Sequence, residues 1–183
     1  SERVLGSAEE LGRYMMRRQM YWVLLSSVAG YNYGAEGVQD KQNDYHDNGM
    51  TWQETLDYPS SYDCQRMMKL LDGLEWWKLV PDYDNQTLTG GYGHYMGSKG
   101  DDYALAARAD DGSFALVYTP VTRELQIDMS GFGEGVAAAW FNPTNGTYRE
   151  AGSYANTGLR RFTPPGDNGT GKDDWLLVLQ TDG

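Results

Sequence analysis

Cysteine is nearly missing from this 183-residue chain: Cys64 stands alone. A single thiol excludes an internal disulfide framework and any multi-cysteine zinc site. Its place among apolar residues at helical spacing predicts a buried thiol, with a bridge to another chain as the alternative. Histidine is scarce too. His46 and His94 lack metal-ligand spacing, so surface positions are expected and no metal site is read. Basic residues are in deficit, with 15 Lys and Arg against 26 Asp and Glu, and the net charge of −11 argues against a nucleic-acid or anionic-membrane surface. No run of about twenty apolar residues could span a bilayer. The opening SERVLGSAEE has neither the basic nor the apolar region of a signal peptide, so an export signal is expected upstream if the protein is secreted. Also missing are a P-loop, a dinucleotide fingerprint, a helix-turn-helix pattern and repeats at solenoid periods. No cofactor is implied.

What is present changes in texture near Pro81. Before it, apolar residues recur at helical spacing; after it, short alternating segments are separated by Gly, Asn, Asp and Pro. The boundary is placed in PDYDNQ, dividing the chain into 1–83 and 84–183. In the first part, Ser7 and Glu10 form a capping box for a helix expected to reach about Val28 and stop at Gly30. Leu11, Tyr14, Met15, Tyr21, Trp22 and Leu25 make its apolar stripe. GYNYG then allows a very short strand. Thr51 and Glu54 form a second capping box, and a further helix begins at Pro59 to Ser61 and carries Cys64, Met67, Met68, Leu71 and Leu74 on one face. This order reads as the closing units of an alternating α/β domain.

The second part holds seven strand candidates: YALAARA, SFALVYT, RELQIDM, VAAAWFN, TYREAGS, LRRFT and DWLLVLQ. In RELQIDM, Leu125, Ile127 and Met129 alternate with Glu124, Gln126 and Asp128, as a sheet wet on one side requires. About a hundred residues of such strands fit an antiparallel β-sandwich. GGYGHYMGSKG, residues 90–100, reads as a linker to it, and DNGTGKDD, residues 167–174, as turn chemistry rather than a calcium loop. N-x-T sequons occur at Asn85, Asn145 and Asn168, where roughly one is expected by chance. That excess points to a secreted eukaryotic protein, with these three as glycosylation candidates.

Taken in order, RRQMYW (17–22), AGYNYG (29–34), WWKLVPD (76–82), AARADDGSFALVY (106–118), AAWFNPTNG (138–146), RFTPPG (161–166) and DWLLVL (174–179) resemble the apiosidase-like glycoside hydrolases. Those enzymes join a (β/α)8 TIM barrel to a β-sandwich classed as a collagen-binding domain. The resemblance implies α/β plus all-β architecture: the last strand and flanking helices of a TIM barrel, followed by an antiparallel β-sandwich. YNY would be the eighth barrel strand, with Tyr31 standing where members often carry His, and the helix from Ala8 the seventh barrel helix. A complete barrel takes about 250 residues, so the N-terminal barrel portion is expected as a second chain or a missing segment. By the same resemblance the paired catalytic carboxylates lie upstream.

Barrel active sites gather at the C-terminal ends of strands. Tyr31, Asn32, Tyr33, Glu36, Gln39 and Asp40 are therefore the candidate substrate-binding residues. Aromatic faces suit apolar sugar surfaces, and carboxylates and amides suit hydroxyls. The plainer alternative is that Tyr31 and Tyr33 fill the barrel interior and Glu36 pairs with a surface base. Glycoside cleavage uses two carboxyl groups, and Glu36 has no convincing second member here. Arg17 and Arg18 are candidates for binding neighbouring carboxylates, with at least one on a solvated face, and Trp76 and Trp77 for packing where barrel meets sandwich. Three functions follow: a secreted glycoside hydrolase portion acting on polysaccharide or its side chains, a non-catalytic carbohydrate- or matrix-binding module, or a structural accessory subunit.

Overall fold

A computed structural model of the chain describes residues 2–26, 30–32, 52–95 and 102–181. Three helices come first: α1 (Glu2–Leu25), α2 (Trp52–Leu56) and α3 (Pro59–Asp72). Helix α1 begins ahead of the Ser7–Glu10 box, because Glu2 to Leu5 are themselves tolerant of helix and nothing there breaks it. A short 3-10 turn at Trp76–Lys78 leads into nine strands among the described residues: β1 (Leu79–Pro81), β2 (Leu88–Gly90), β3 (Leu105–Ala109), β4 (Phe114–Thr119), β5 (Leu125–Asp128), β6 (Val136–Phe141), β7 (Tyr148–Tyr154), β8 (Leu159–Phe162) and β9 (Trp175–Thr181).

The strands form two antiparallel sheets, one of six in the order β1-β3-β4-β9-β6-β7 and one of three in the order β2-β5-β8. Alternation along the central strands assigns each side chain to one of two cores. Ala115 and Val117 of β4, and Trp175, Leu177 and Leu179 of β9, meet Leu125, Ile127 and Phe162 of the small sheet. Their neighbours Phe114, Leu116, Tyr118, Leu176 and Val178 face the opposite way, onto Met20, Tyr21 and Leu25 of α1 and Met67, Leu70 and Leu71 of α3. The large sheet is thus the middle layer, which is why β4 is buried along its whole length rather than on alternate residues. Strand β5 keeps the expected wet face at Gln126 and Asp128.

Several expectations are corrected. β1 lies ahead of the 83/84 boundary, yet it pairs with β3 in the large sheet. Within PDYDNQ, the Asp82 carboxylate accepts hydrogen bonds from the backbone N–H groups of Gln86, Thr87 and Leu88 and closes a turn. The stretch read as a linker starts inside β2, which pairs with β5. Gly91 there adopts φ +87°, and a Cβ would stand 2.3 Å from the Glu124 carbonyl oxygen, so only glycine fits. In α1, Leu11 and Met15 are exposed and in α3 so is Met68; the sheet instead takes the faces carrying Met20, Tyr21 and Leu25, and Met67, Leu70 and Leu71. Tyr31 and Asn32 are not in a strand. A strand of this length needs a neighbour to hold it, and the described residues supply none.

Candidate functional site

Helix α1 precedes Tyr31 and Asn32, the described members of the predicted pocket set, in the chain. Its position is set by a buried ionic junction. The Arg17 guanidinium donates through Nε and Nη2 to Asp174, at 3.0 and 2.9 Å, and through Nη1 to Asp63 at 3.1 Å. All three side chains are buried. Asp63 lies on α3 and Asp174 just before β9, so one side chain of α1 ties both the neighbouring helix and the large sheet.

Each carboxylate is saturated with donors. Asp63 also accepts from Arg13 Nε and Nη2 and from Arg66 Nη1, all at 2.7 Å. Asp174 also accepts from Asn168 Nδ2 at 2.6 Å and from the Tyr118 hydroxyl at 3.2 Å. Burial by itself would lower the affinity of Arg17 for its proton, but the bonds to Asp174 and Asp63 outweigh it and hold the guanidinium charged. Tyr21 stacks on Tyr118 with ring centroids 4.8 Å apart. Burial, reinforced by Asp174, pushes both phenols well above their ordinary range, so both stay neutral. Saturated, arginine-bound carboxylates have no free lone pair for proton transfer; the junction positions α1 and does no acid–base chemistry.

Beyond the junction, Tyr14 donates to the Pro120 carbonyl at 3.0 Å, Trp22 Nε1 to the Tyr103 carbonyl at 2.9 Å and Tyr83 to the Ser26 carbonyl at 3.1 Å. Arg18 is buried and lies 4.9 Å from the Trp22 ring. Neither Arg17 nor Arg18 is therefore on a solvated face, contrary to the expectation for one of them.

Of the six predicted pocket residues, two are described. Tyr31 is partly buried against the second core and its hydroxyl approaches Met16 Sδ at 3.9 Å; Asn32 is exposed. Tyr33, Glu36, Gln39 and Asp40 lie outside the described residues, as does His46. His94 is exposed beside Asp102, whose carboxylate also takes Arg123. Among the described residues no group of three His, Cys, Asp or Glu could hold a metal ion, and no helix is long and apolar enough to cross a membrane. Trp76 and Trp77, expected at the domain junction, are 45% and 65% exposed and pack edge-on to each other at 6.2 Å. Cys64, expected to be buried, is a half-buried free thiol pushed up to about 11, by burial first and by Asp63 second.

The sequons divide. Asn85 and Asn145 are exposed. Asn168 is buried, with Nδ2 spent on Asp174 and Oδ1 accepting from Thr170, so a glycan there would break the junction. Sequence reasoning named Arg17 as a candidate carboxylate binder but not its partners Asp63 and Asp174, which the fold brings to it from far along the chain.

Comparison with known proteins finds one match over the helical part of the chain and one over most of its strands. Residues 4–78 match the family described as "Apiosidase-like, catalytic domain", and residues 94–180 match "Putative collagen-binding domain of a collagenase". No curated protein matches the chain. Among solved structures, one described as "Glycoside hydrolase" superposes with a TM-score of 0.76 at 20% identity over 93% of this chain and 37% of its own. A glycoside hydrolase family 5 protein from Bacteroides vulgatus ATCC 8482 gives 0.76 at 21% identity over 92% and 36%. At such identity the likeness is one of fold. It runs through the helices as well as the sheets, and the chain spans little more than a third of either neighbour.

Proposed function

Starting from a chain that joins a match to an apiosidase-like catalytic domain with one to a collagen-binding domain, we propose that it is the C-terminal portion of a secreted glycoside hydrolase acting on polysaccharide or its side chains. In this reading residues 1–83 supply the last strand and flanking helices of a (β/α)8 barrel and, at their end, the edge strand β1 of the large sheet, and the general acid and its partner carboxylate come from an N-terminal portion, as a missing segment or second chain. Tyr31 and Asn32, with Tyr33, Glu36, Gln39 and Asp40 beyond them, line the substrate pocket.

The observation that carries the reading is the two-faced helical layer. One face of α1 and α3 rests on the large sheet, while the other leaves Leu11, Met15 and Met68 exposed. Covering them with further barrel elements removes this apolar surface from water at about 25 cal/mol per Å². The chemistry agrees: glycoside cleavage needs two carboxyl groups about 5 to 9.5 Å apart, and the buried carboxylates of the described residues, Asp63 and Asp174, are engaged by arginines. Secretion is supported by the accessible sequons at Asn85 and Asn145, which are the proposed glycosylation sites.

Native mass spectrometry of the protein from its source tests this. The chain is expected in a complex with, or covalently continuous with, a larger barrel portion. A free 20.5 kDa chain that hydrolyses polysaccharide by itself would contradict the division of labour.

A second reading, a binding module without catalysis, draws on the match of residues 94–180 to a binding domain. It predicts that the isolated chain retains glycan or matrix binding and that its partner portion is dispensable.

A further inference from the structure

Trp76 and Trp77 belong to neither hydrophobic core. They sit on the 3-10 turn between α3 and β1 with 45% and 65% of their surface exposed, whereas Trp140 and Trp175 are buried. The exposure is not slackness, because the turn that presents them is clamped. The Lys78 ammonium bridges Glu75 at 2.5 Å, within the turn, and Asp111 at 2.8 Å, on the connection from β3 to β4. The backbone N–H groups of Lys78 and Leu79 donate to the carbonyls of Glu75 and Trp76, and the Lys78 carbonyl accepts from the Asp110 N–H. The two indoles meet edge to face, with centroids 6.2 Å apart and planes at 74°. Such a pair covers the face of only one ring. Apolar ring surface is thus held in water by a fixed backbone.

The size of this surface limits what it can bind. At about 150–250 Å² per tryptophan, these exposures leave roughly 200 Å² of it open. A stable protein interface buries about 800 Å² on each partner. The pair falls well short of that, even with the half-exposed Val80 added, but it matches the face of a sugar ring or two. Charge narrows the choice further. Glu75, Asp110 and Asp111 lie beside the turn, and its cation, Lys78, is already shared between two of them, so a polyanion is repelled.

Polar groups follow directly in the chain. β1 borders a groove of about 340 Å³ lined by Val80, Asp84, Gln86, Arg108 and Asp110 among others. Carboxylate, amide and guanidinium groups there accept and donate the hydrogen bonds that hydroxyls make. An apolar platform with such groups alongside suits a ligand whose ring faces carry C–H and whose rim carries O–H.

We propose that Trp76 and Trp77 form a surface platform for a neutral polysaccharide chain, separate from the pocket assigned to Tyr31 and Asn32. The choice of a saccharide rests on the glycoside hydrolase reading; the place rests on the two tryptophans. The test is calorimetric titration of the full chain with neutral β-1,4-linked hexasaccharides of glucose, xylose and mannose, and with hexagalacturonate and hexalysine. At least one neutral sugar is expected to bind, indifferent to salt and more tightly than either charged probe. W76A and W77A should each lose about tenfold, the scale of one aromatic stacking contact, while melting within about 4 °C of the parent. W76F and W77F should keep most of the binding. Y148A, an exposed aromatic on β7 at the opposite edge of the large sheet, should bind as the parent does. Failure of all three neutral sugars, parental binding by W76A and W77A, or equal or tighter binding of hexagalacturonate or hexalysine would overturn the proposal. Sugar binding lost in W77A, in an assembled protein without hydrolase activity, would sustain the platform and overturn the enzyme; hydrolysis by an assembled protein whose sugar binding ignores both tryptophans would do the reverse.

Discussion

Replacing Arg17 by Met keeps much of the volume of the side chain and removes its charge and its five donors. Asp174 then retains only Asn168 and Tyr118, and Asp63 only Arg13 and Arg66. Removing one partner from a buried ion pair costs about 3–5 kcal/mol, because the orphaned charge has no solvent to turn to. In a domain of this size each kcal/mol lowers Tm by about 2–4 °C, so R17M should melt roughly 6–20 °C below the parent, read by near-ultraviolet circular dichroism. The comparison variant is R13M. Arg13 is more accessible, and Asp63 keeps Arg17 and Arg66 without it, so its loss should cost less than that of Arg17, about 1.5–3 kcal/mol, the scale of a hydrogen bond to a charged group. A double-mutant cycle of R17M with D174N isolates the pair. The two should couple by about 1–3 kcal/mol, since removing the carboxylate relieves the need for its cation. Equal melting of R17M and R13M, or strict additivity in the cycle, would refute the claim that this junction clamps α1 to the sheet.

Three further outcomes are expected. Cys64, raised by burial to about 11 from an ordinary 9.0, stays protonated in the folded chain where the unfolded chain would ionise; stability is therefore intact below about pH 9 and falls as pH rises toward 11. Alkylation by iodoacetamide at pH 8 should be slower when native than in urea, and equal rates would contradict the partial burial of the thiol. Expression in a glycosylating host should modify Asn85 or Asn145 but not Asn168, read by peptide mass spectrometry, because only the last is buried and hydrogen-bonded to Asp174. W77A should change stability by less than about 1 kcal/mol, as suits an exposed side chain, and a loss above about 3 kcal/mol would restore the junction role expected of Trp77 from sequence.

Seven of the nine strands among the described residues were legible, β5 through its polar–apolar alternation and β4 and β9 as short apolar runs between turn residues. Strands β1 and β2 were not. Each is three residues long, one ends in Pro81 and the other in Gly90, and both are edges held by pairing rather than by their own pattern. The helices were legible in place but not in facing or, for α1, in its start at Glu2: Leu11, Met15 and Met68 fit an apolar stripe equally well, and only the position of the sheet decides which side is covered. Arg17 was read as a possible carboxylate binder, yet its full burial depends on Asp63 and Asp174, far away in sequence and brought together by the fold. The candidate pocket followed from the resemblance alone, through the place of Tyr31 and Asn32 after α1.

The central claim is that this chain supplies a wall of a glycosidase but not its acid and base. Hydrolysis of polysaccharide by the purified chain, alone and after addition of the proposed N-terminal barrel portion, measures that directly. The account predicts no turnover from either part separately and turnover on mixing or covalent joining. Full activity in the 183-residue chain alone, or an N-terminal portion that works equally well without it, would contradict it.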